Sequence, residues 1–163
     1  MPDHDRRARD TMKNLLVKDW MTTDVICVPP DMVLPDAAAL MRKKRIRRLP
    51  VVDEHGVLIG IISQSDILAA KPSQATSLDI WEINYLLSRL KIRKVMTRDP
   101  LTVFPESTIK EAAQIMHDHK IGGLPVVDEQ RHVVGIITES DIFRILIAWF
   151  NEKIGETEQQ AST

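Results

Sequence analysis

Two short clusters set a hydroxyl three residues ahead of a carboxylate: Ser63-Gln64-Ser65-Asp66 and Thr138-Glu139-Ser140-Asp141. At a strand-to-helix junction this spacing makes a capping box, in which hydroxyl and carboxylate satisfy backbone donors of the first turn and no ligand is needed. The same carboxylate is an acceptor that can take two donors at once, so it can also grip a polar ligand. A third stretch, Arg42-Lys43-Lys44-Arg45-Ile46-Arg47-Arg48, carries six positive groups. Its arginines present planar donor forks suited to phosphate, and its first members equally suit a solvated helix end that complements the helix dipole. Catalysis finds little support. Gly60-Ile61-Ile62-Ser63-Gln64 lacks the second glycine of a nucleophile elbow, and the chain has neither a Walker-type loop nor a His-Glu-x-x-His motif. His117 and His119 stand two apart on an expected helix, where their side chains diverge, so no metal site is expected. Cys27, the single cysteine, lies in a β-branched segment and reads as a small core residue, in keeping with a reducing compartment.

The elements that must position these clusters occur twice. Leu49-Pro50-Val51-Val52-Asp53-Glu54 returns as Leu124-Pro125-Val126-Val127-Asp128-Glu129. Gly60-Ile61-Ile62-Ser63-Gln64-Ser65-Asp66-Ile67 returns as Gly135-Ile136-Ile137-Thr138-Glu139-Ser140-Asp141-Ile142, and Met21-Thr22 as Met96-Thr97, all at one shift of about 75 residues. The chain is a tandem duplication of one supersecondary unit. In the first copy Val25-Ile26-Cys27-Val28 reads as a strand stopped by Pro29-Pro30. Ala37, Ala38, Leu40 and Met41, extended by Ile46, form an apolar stripe at helical spacing, matched by Ile109, Ala112, Ala113, Ile115 and Met116. Strands over residues 49–52 and 57–62 flank the turn Asp53-Glu54-His55-Gly56, and a second helix starts near Ser65. Each copy is thus β-α-β-β-α, a mixed α/β fold. The expected organisation is a polar or helical segment over 1–16, the first copy over 17–70, a linker and connecting helix over 71–91, the second copy over 92–150 and a polar, frayed tail over 151–163. Ile80, Ile83, Leu87 and Leu90 give the connecting helix a face to bury against the core or a second chain, and residues 142–150, apolar on nearly all sides, are expected to be buried against another protomer.

The paired Met-Thr, Ala-Ala helix, Leu-Pro-Val-Val-Asp and Gly-Ile-Ile-(Ser/Thr)-x-Ser-Asp-Ile blocks resemble a pair of CBS (cystathionine β-synthase) domains, the tandem called a Bateman module, over residues 17–150. The connector Trp81-Glu82-Ile83-Asn84-Tyr85-Leu86-Leu87 is similar to that of acetoin-utilisation-type CBS proteins. The resemblance implies two repeats packed by pseudo-twofold symmetry, clefts that take adenosine-containing ligands, and pairing of modules into homodimers. It implies that Asp66 and Asp141 hold a ribose diol, that Ser63 and Thr138 contact ribose or phosphate, and that Ser65 and Ser140 assist. Helix starts beside them offer N–H groups to an anion. For adenine it implies Thr22, Asp24, Val25 and Ile26 on the side of Asp141, and Thr97, Asp99, Pro100 and Leu101 on the side of Asp66, with Pro50, Val51, Pro125 and Val126 flanking the bases. Phosphate recognition falls to Arg47 and Arg48. Their counterparts, Gly122 and Gly123, cannot reach a phosphate, so one phosphate-rich site and one weaker site are expected.

The 22 basic and 23 acidic side chains leave a net charge of -1. Together with the lack of aromatics in the basic run, this argues against a nucleic-acid partner and against an anionic membrane. A polar N-terminus and no apolar run near the ~20 residues of a membrane span point to a cytoplasmic protein. The function expected is a non-enzymatic regulatory module that senses AMP, ADP, ATP, NAD or S-adenosylmethionine, requires no other cofactor, and signals to a partner in trans because no effector domain follows. The competing readings are a structural dimerisation module and a nucleic-acid binder using residues 42–48.

Overall fold

The computed structural model describes residues 15–71 and 79–161, with side chains up to residue 151. Its elements are α1 (Leu34–Lys44), β1 (Arg48–Val52), β2 (Leu58–Ser63), α2 (Gln64–Ala69), α3 (Ile80–Arg89), β3 (Thr97–Arg98), α4 (Ile109–His119), β4 (Gly123–Val127), β5 (Val133–Thr138) and α5 (Glu139–Ala161), with 3-10 turns at Val17–Asp19 and Ile92–Lys94. They form two units. Of the described residues, one unit takes those up to Thr23, Thr102–Val126 and those from Val134 onward; the other takes those within Asp24–Leu101 and Val127–Val133.

Prolines limit the first strand expected in each copy. The strand over residues 25–28 reduces to one parallel bridge between Val28 and Val51. Val28 N donates to Pro50 O and Val52 N donates to Val28 O, each at 3.0 Å. The next rungs would need N–H groups from Pro50 and Pro30, which proline lacks. The second copy repeats the block: Val103 bridges Val126, with prolines at 105 and 125.

The helix and the hairpin form where periodicity and turn chemistry place them. In α1 a proline sits in the first turn, Ala37 and Met41 are buried, and Arg45 closes the helix in the left-handed region at φ 55. The β1–β2 turn is held by Asp53, whose Oδ1 accepts from His55 N and Val57 N at 2.9 Å each, and by Gly56 at φ 79. Asp128 does the same in the second copy, accepting from His132 N at 2.8 Å and Gln130 N at 3.0 Å. These backbone donors, Val57 for Asp53 and His132 for Asp128, hold both carboxyls below the usual carboxylate range. A depressed folded value stabilises the protein above the unfolded value, near pH 4, and that contribution is lost as pH falls through the folded value. The double variant Asp53→Asn/Asp128→Asn is therefore expected to show a flatter fall in melting temperature than the wild type between about pH 5 and pH 2. Parallel acid limbs for the two proteins would show that the turns contribute nothing to acid stability.

The Met-Thr segments exchange between copies. In the second unit β3, which carries Thr97, pairs antiparallel with β2 through Gly60 opposite Arg98 and Ile61 opposite Thr97. In the first unit Thr22 N donates to Ile136 O at 2.9 Å and Ile136 N to Thr22 O at 3.0 Å. Each unit is thus completed by a segment of the other copy. The cores repeat this: Val28, Leu34, Ala37, Met41, Leu49, Val51 and Ile62 gather around Ile92, and their counterparts Val103, Ile109, Ala112, Met116, Leu124, Val126 and Ile137 gather around Val17.

Two apolar faces expected to be buried against the core or another chain are largely exposed within this one, and the tail departs from expectation. The connecting helix α3 has no buried residue and Ile80 is 70% exposed, because only its Ile83 and Leu87 side turns inward. Residues 142–150 are buried on one side only: Ile145 packs into the core, while Phe143 and Ile147 are 62% and 60% exposed. The helix runs on through Ala161, where a frayed tail was expected after Gly155. The segments 1–14 and 72–78, which hold most of the expected N-terminal segment and the polar linker, lie outside the described residues.

Candidate ligand-binding site

Antiparallel pairing decides which expected site residues meet. Across β1, β2 and β3, Arg48 faces Ser63, and Ile61 faces both Pro50 and Thr97. Cross-strand partners project to the same side, so Arg48, Pro50, Ile61, Ser63 and Thr97 share one sheet face. Leu49, Val51 and Ile62 lie on the opposite face, in the core.

At the end of this face the chain turns into α2 through a capping box. Asp66 N donates to Ser63 Oγ at 3.2 Å, while Asp66 Oδ2 accepts from Ser63 N and from Ser63 Oγ, both at 2.7 Å. The capping box expected from the spacing of Ser63 and Asp66 is thus present. It uses one carboxylate oxygen. Asp66 Oδ1 has no hydrogen-bond partner among the described residues, and the residue is half-buried, so a charged acceptor stands beside the sheet face.

The first unit has a different balance. Asp141 Oδ2 accepts from Thr138 N at 2.9 Å and Thr138 Oγ1 at 3.0 Å. Its Oδ1 accepts from Arg144 Nη2 at 3.2 Å, and that guanidinium also donates to Trp20 O at 2.9 Å and sits 5.7 Å from the Trp20 ring centre. Both oxygens of Asp141 are thus engaged, and the residue is buried. Arg144 escaped the sequence reading. Its signal was a single asymmetry: it aligns with Ala69 at the 75-residue shift, where the flanking blocks match.

The remaining expected residues scatter. Thr22 shares a unit with Asp141, whereas Asp24, Val25 and Ile26 belong to the other unit, with Ile26 packed against its core. Asp99 takes φ 44, and its carboxylate pairs with Arg131 at 2.8 Å. Pro100 is buried and Leu101 is exposed. Pro50, Val51, Pro125 and Val126, expected to flank the bases, are all buried, the two valines within the cores. Ser65 and Ser140 are exposed in first helical turns. Arg47 O accepts from Gln64 N at 2.9 Å, and the Arg47 side chain lies on the helix side of the hairpin, in the cleft that Ala38 and Ile67 also line. Burial pushes the Cys27 thiol up, away from reactive thiolate. Among the described residues no group of three or more His, Cys, Asp and Glu could hold a metal ion, and no helix is long and apolar enough to cross a membrane.

The family model for the CBS domain matches residues 17–73 and again 92–148. The chain belongs to the CBS domain family. Solved CBS pairs agree with it closely. The CBS domain pair of protein MJ0100, in complex with 5'-methylthioadenosine and S-adenosyl-L-methionine, is 34% identical, with a TM-score of 0.69 over 82% of this chain and 96% of that one. CBSX2 in complex with AMP is 31% identical, with a TM-score of 0.67 over 82% and 97%. AcuB from Vibrio cholerae, of the acetoin-utilisation type, is 36% identical, with a TM-score of 0.70 over 86% and 96%. Several curated relatives are much longer than the stretch they share with this CBS pair. That stretch is 47% of a Methanocaldococcus jannaschii protein 35% identical to it, and 24% of the homoserine O-acetyltransferase of Methanococcoides burtonii, 38% identical.

Proposed function

We propose that this CBS pair is a regulatory module that binds an adenine nucleotide or another adenosyl ligand, and that the stronger site is the face bearing Arg48, Pro50, Ile61, Ser63 and Thr97. The observation that carries the reading is Asp66 Oδ1, a carboxylate oxygen without a partner among the described residues, set at the edge of that face. A ribose diol supplies two donors to such an acceptor. Ile61, half-buried, offers an apolar seat for a base, and Arg48, cross-strand from Ser63, brings positive charge for a phosphate. The MJ0100 pair in complex with S-adenosyl-L-methionine and CBSX2 in complex with AMP support the ligand class. Thr22, Thr138 and Asp141 form the weaker site, because a ligand there must displace Arg144 from Asp141.

Binding acts on a partner by favouring one conformational state, in proportion to the difference in affinity between states. The exposed Phe143, Ile147 and Phe150 of α5 are the surface assigned to a homodimer, and the setting assigned is the cytoplasm. Calorimetry with AMP, ADP, ATP, NAD and S-adenosylmethionine tests the ligand, and light scattering tests the dimer. Binding of at least one of the five well below about 1 mM is expected. Arg48→Ala is expected to weaken the nucleotides about tenfold while leaving adenosine unchanged. If none of the five binds, the structural dimerisation reading replaces this one.

A further inference from the structure

A concavity lies on the other side of the β1–β2 hairpin. Residues of α1, α2 and α3 line a cleft of about 640 Å3, within the span of roughly 300–1,000 Å3 usual for small-molecule sites. α3 is held there by Leu34 N, which donates to Leu90 O at 2.7 Å, and by the bridge between Val33 and Lys91. The floor is apolar, with Ala38 from α1, Ile67 from α2 and Leu87 from α3. Among the described residues every charged one lining it is basic: Arg42, Arg45, Arg47 and Lys71. The last turn of α1, the left-handed reversal at Arg45 and the entry to β1 bring the three arginines to one rim.

Among the described residues none of these four side chains has a hydrogen bond or ion pair. The α1 dipole accounts for cations at its last turn. It does not account for Arg47 and Lys71, which come from other segments and border the same apolar floor. Four like charges around a concave low-dielectric surface focus a field that attracts an anion. We infer that this cleft binds an amphipathic anion, whose apolar body rests on Ala38, Ile67 and Leu87 and whose carboxylate or phosphate is held by Arg42, Arg45 and Arg47. The site does not rest on the adenosyl reading, since the two lie on opposite faces of the β1–β2 hairpin.

Titration of the full chain with decanoate, decyl phosphate, decanol and decyltrimethylammonium, each below its micelle concentration, tests this. The two anions are expected to bind, decanol about tenfold more weakly or worse, and the cation not at all. Arg42→Gln/Arg45→Gln should lower both anions to the level of decanol, and Ala38→Phe should abolish all binding. Ser88→Trp, on the α3 side of the cleft, replaces Ala38→Phe if that variant does not fold. Equal affinity for decanol and decanoate, or no effect of the arginine pair, would overturn the anion assignment. Displacement of decanoate by AMP would merge the two sites and overturn the second. If no amphiphile binds and Ala38→Phe instead changes the mass measured by light scattering, a second copy covers the cleft and the proposal fails.

Discussion

Asp66→Asn is expected to raise the dissociation constant for the adenosyl ligand about ten- to hundredfold, with a melting temperature close to that of the wild type. The carboxamide keeps an oxygen to accept from Ser63 N, so the helix start retains much of its cap, which is worth about 1 kcal/mol. What it loses is the charge and the second acceptor that the ribose hydroxyls would use. A hydrogen bond to a charged group contributes about 1.5–3 kcal/mol, which is the fold-change above. Asp141→Asn should change total binding far less, because Arg144 already occupies that carboxylate. Calorimetry on both variants, with thermal melts alongside, checks the ordering. A larger effect at Asp141 than at Asp66 would reverse the assignment of the stronger site, and equal affinity in the Asp66→Asn variant would remove Asp66 from the site.

Gly60→Val is expected to destabilise the protein by about 2–3 kcal/mol, and Gly135→Val by less. A Cβ built on Gly60 comes within 2.5 Å of Met96 Sδ and 3.1 Å of Thr97 O. On Gly135 the three nearest atoms all belong to the Met21 side chain. The methionine can give way. The Thr97 carbonyl cannot, since β3 is fixed to β2 by its pairing. For a chain of this length the loss corresponds to a fall in melting temperature of about 4–12 °C. In Gly60→Ala the obstruction is chiefly the sulfur, so adding Met96→Ala should cost less than the sum of the two single changes. Strict additivity in that cycle would mean that Gly60 and Met96 do not meet, and the exchange of Met-Thr segments would lose its packing support.

The same glycines show how far the sequence could be read. Their duplication in register with Met21-Thr22 and Met96-Thr97 is visible in the letters, and so are the helical stripe ending at Met41 and the hairpin around Asp53-Gly56. These are local: a periodicity, a turn residue and a repeat each specify themselves within a few residues. The loss of the strand over residues 25–28 is not local, because it depends on the partner strand. Pro30 and Pro50 remove the rungs on either side of Val28, which becomes apparent only when Val28 is known to lie beside Val51.

Site residues divide along the same line. Ser63 and Asp66 lie three apart at a strand-to-helix junction, so their meeting was legible. That Arg48 joins them while the adjacent Arg47 turns to the helix cleft follows from the alternation of side chains once the register of β1 against β2 is set. Val51 and Val126, read as flanking the base, are core residues for the same reason. Arg144 was beyond reach, because its partner Trp20 is distant in the chain and meets it only through folding.

By itself the sequence determined that one unit is duplicated, what each copy is made of, that a hydroxyl and a carboxylate recur at the strand-to-helix junctions, and that the arginine-rich run stands in the first copy alone. Only the tertiary structure decided that each unit borrows the other copy's Met-Thr segment, that Asp66 keeps an open oxygen while Asp141 is held by Arg144, and that three arginines rim a separate apolar cleft. Periodicity and turn chemistry act between near neighbours and leave their mark in the order of residues. Which segments pair, and which side chains then face each other, is settled by the packing of distant parts of the chain.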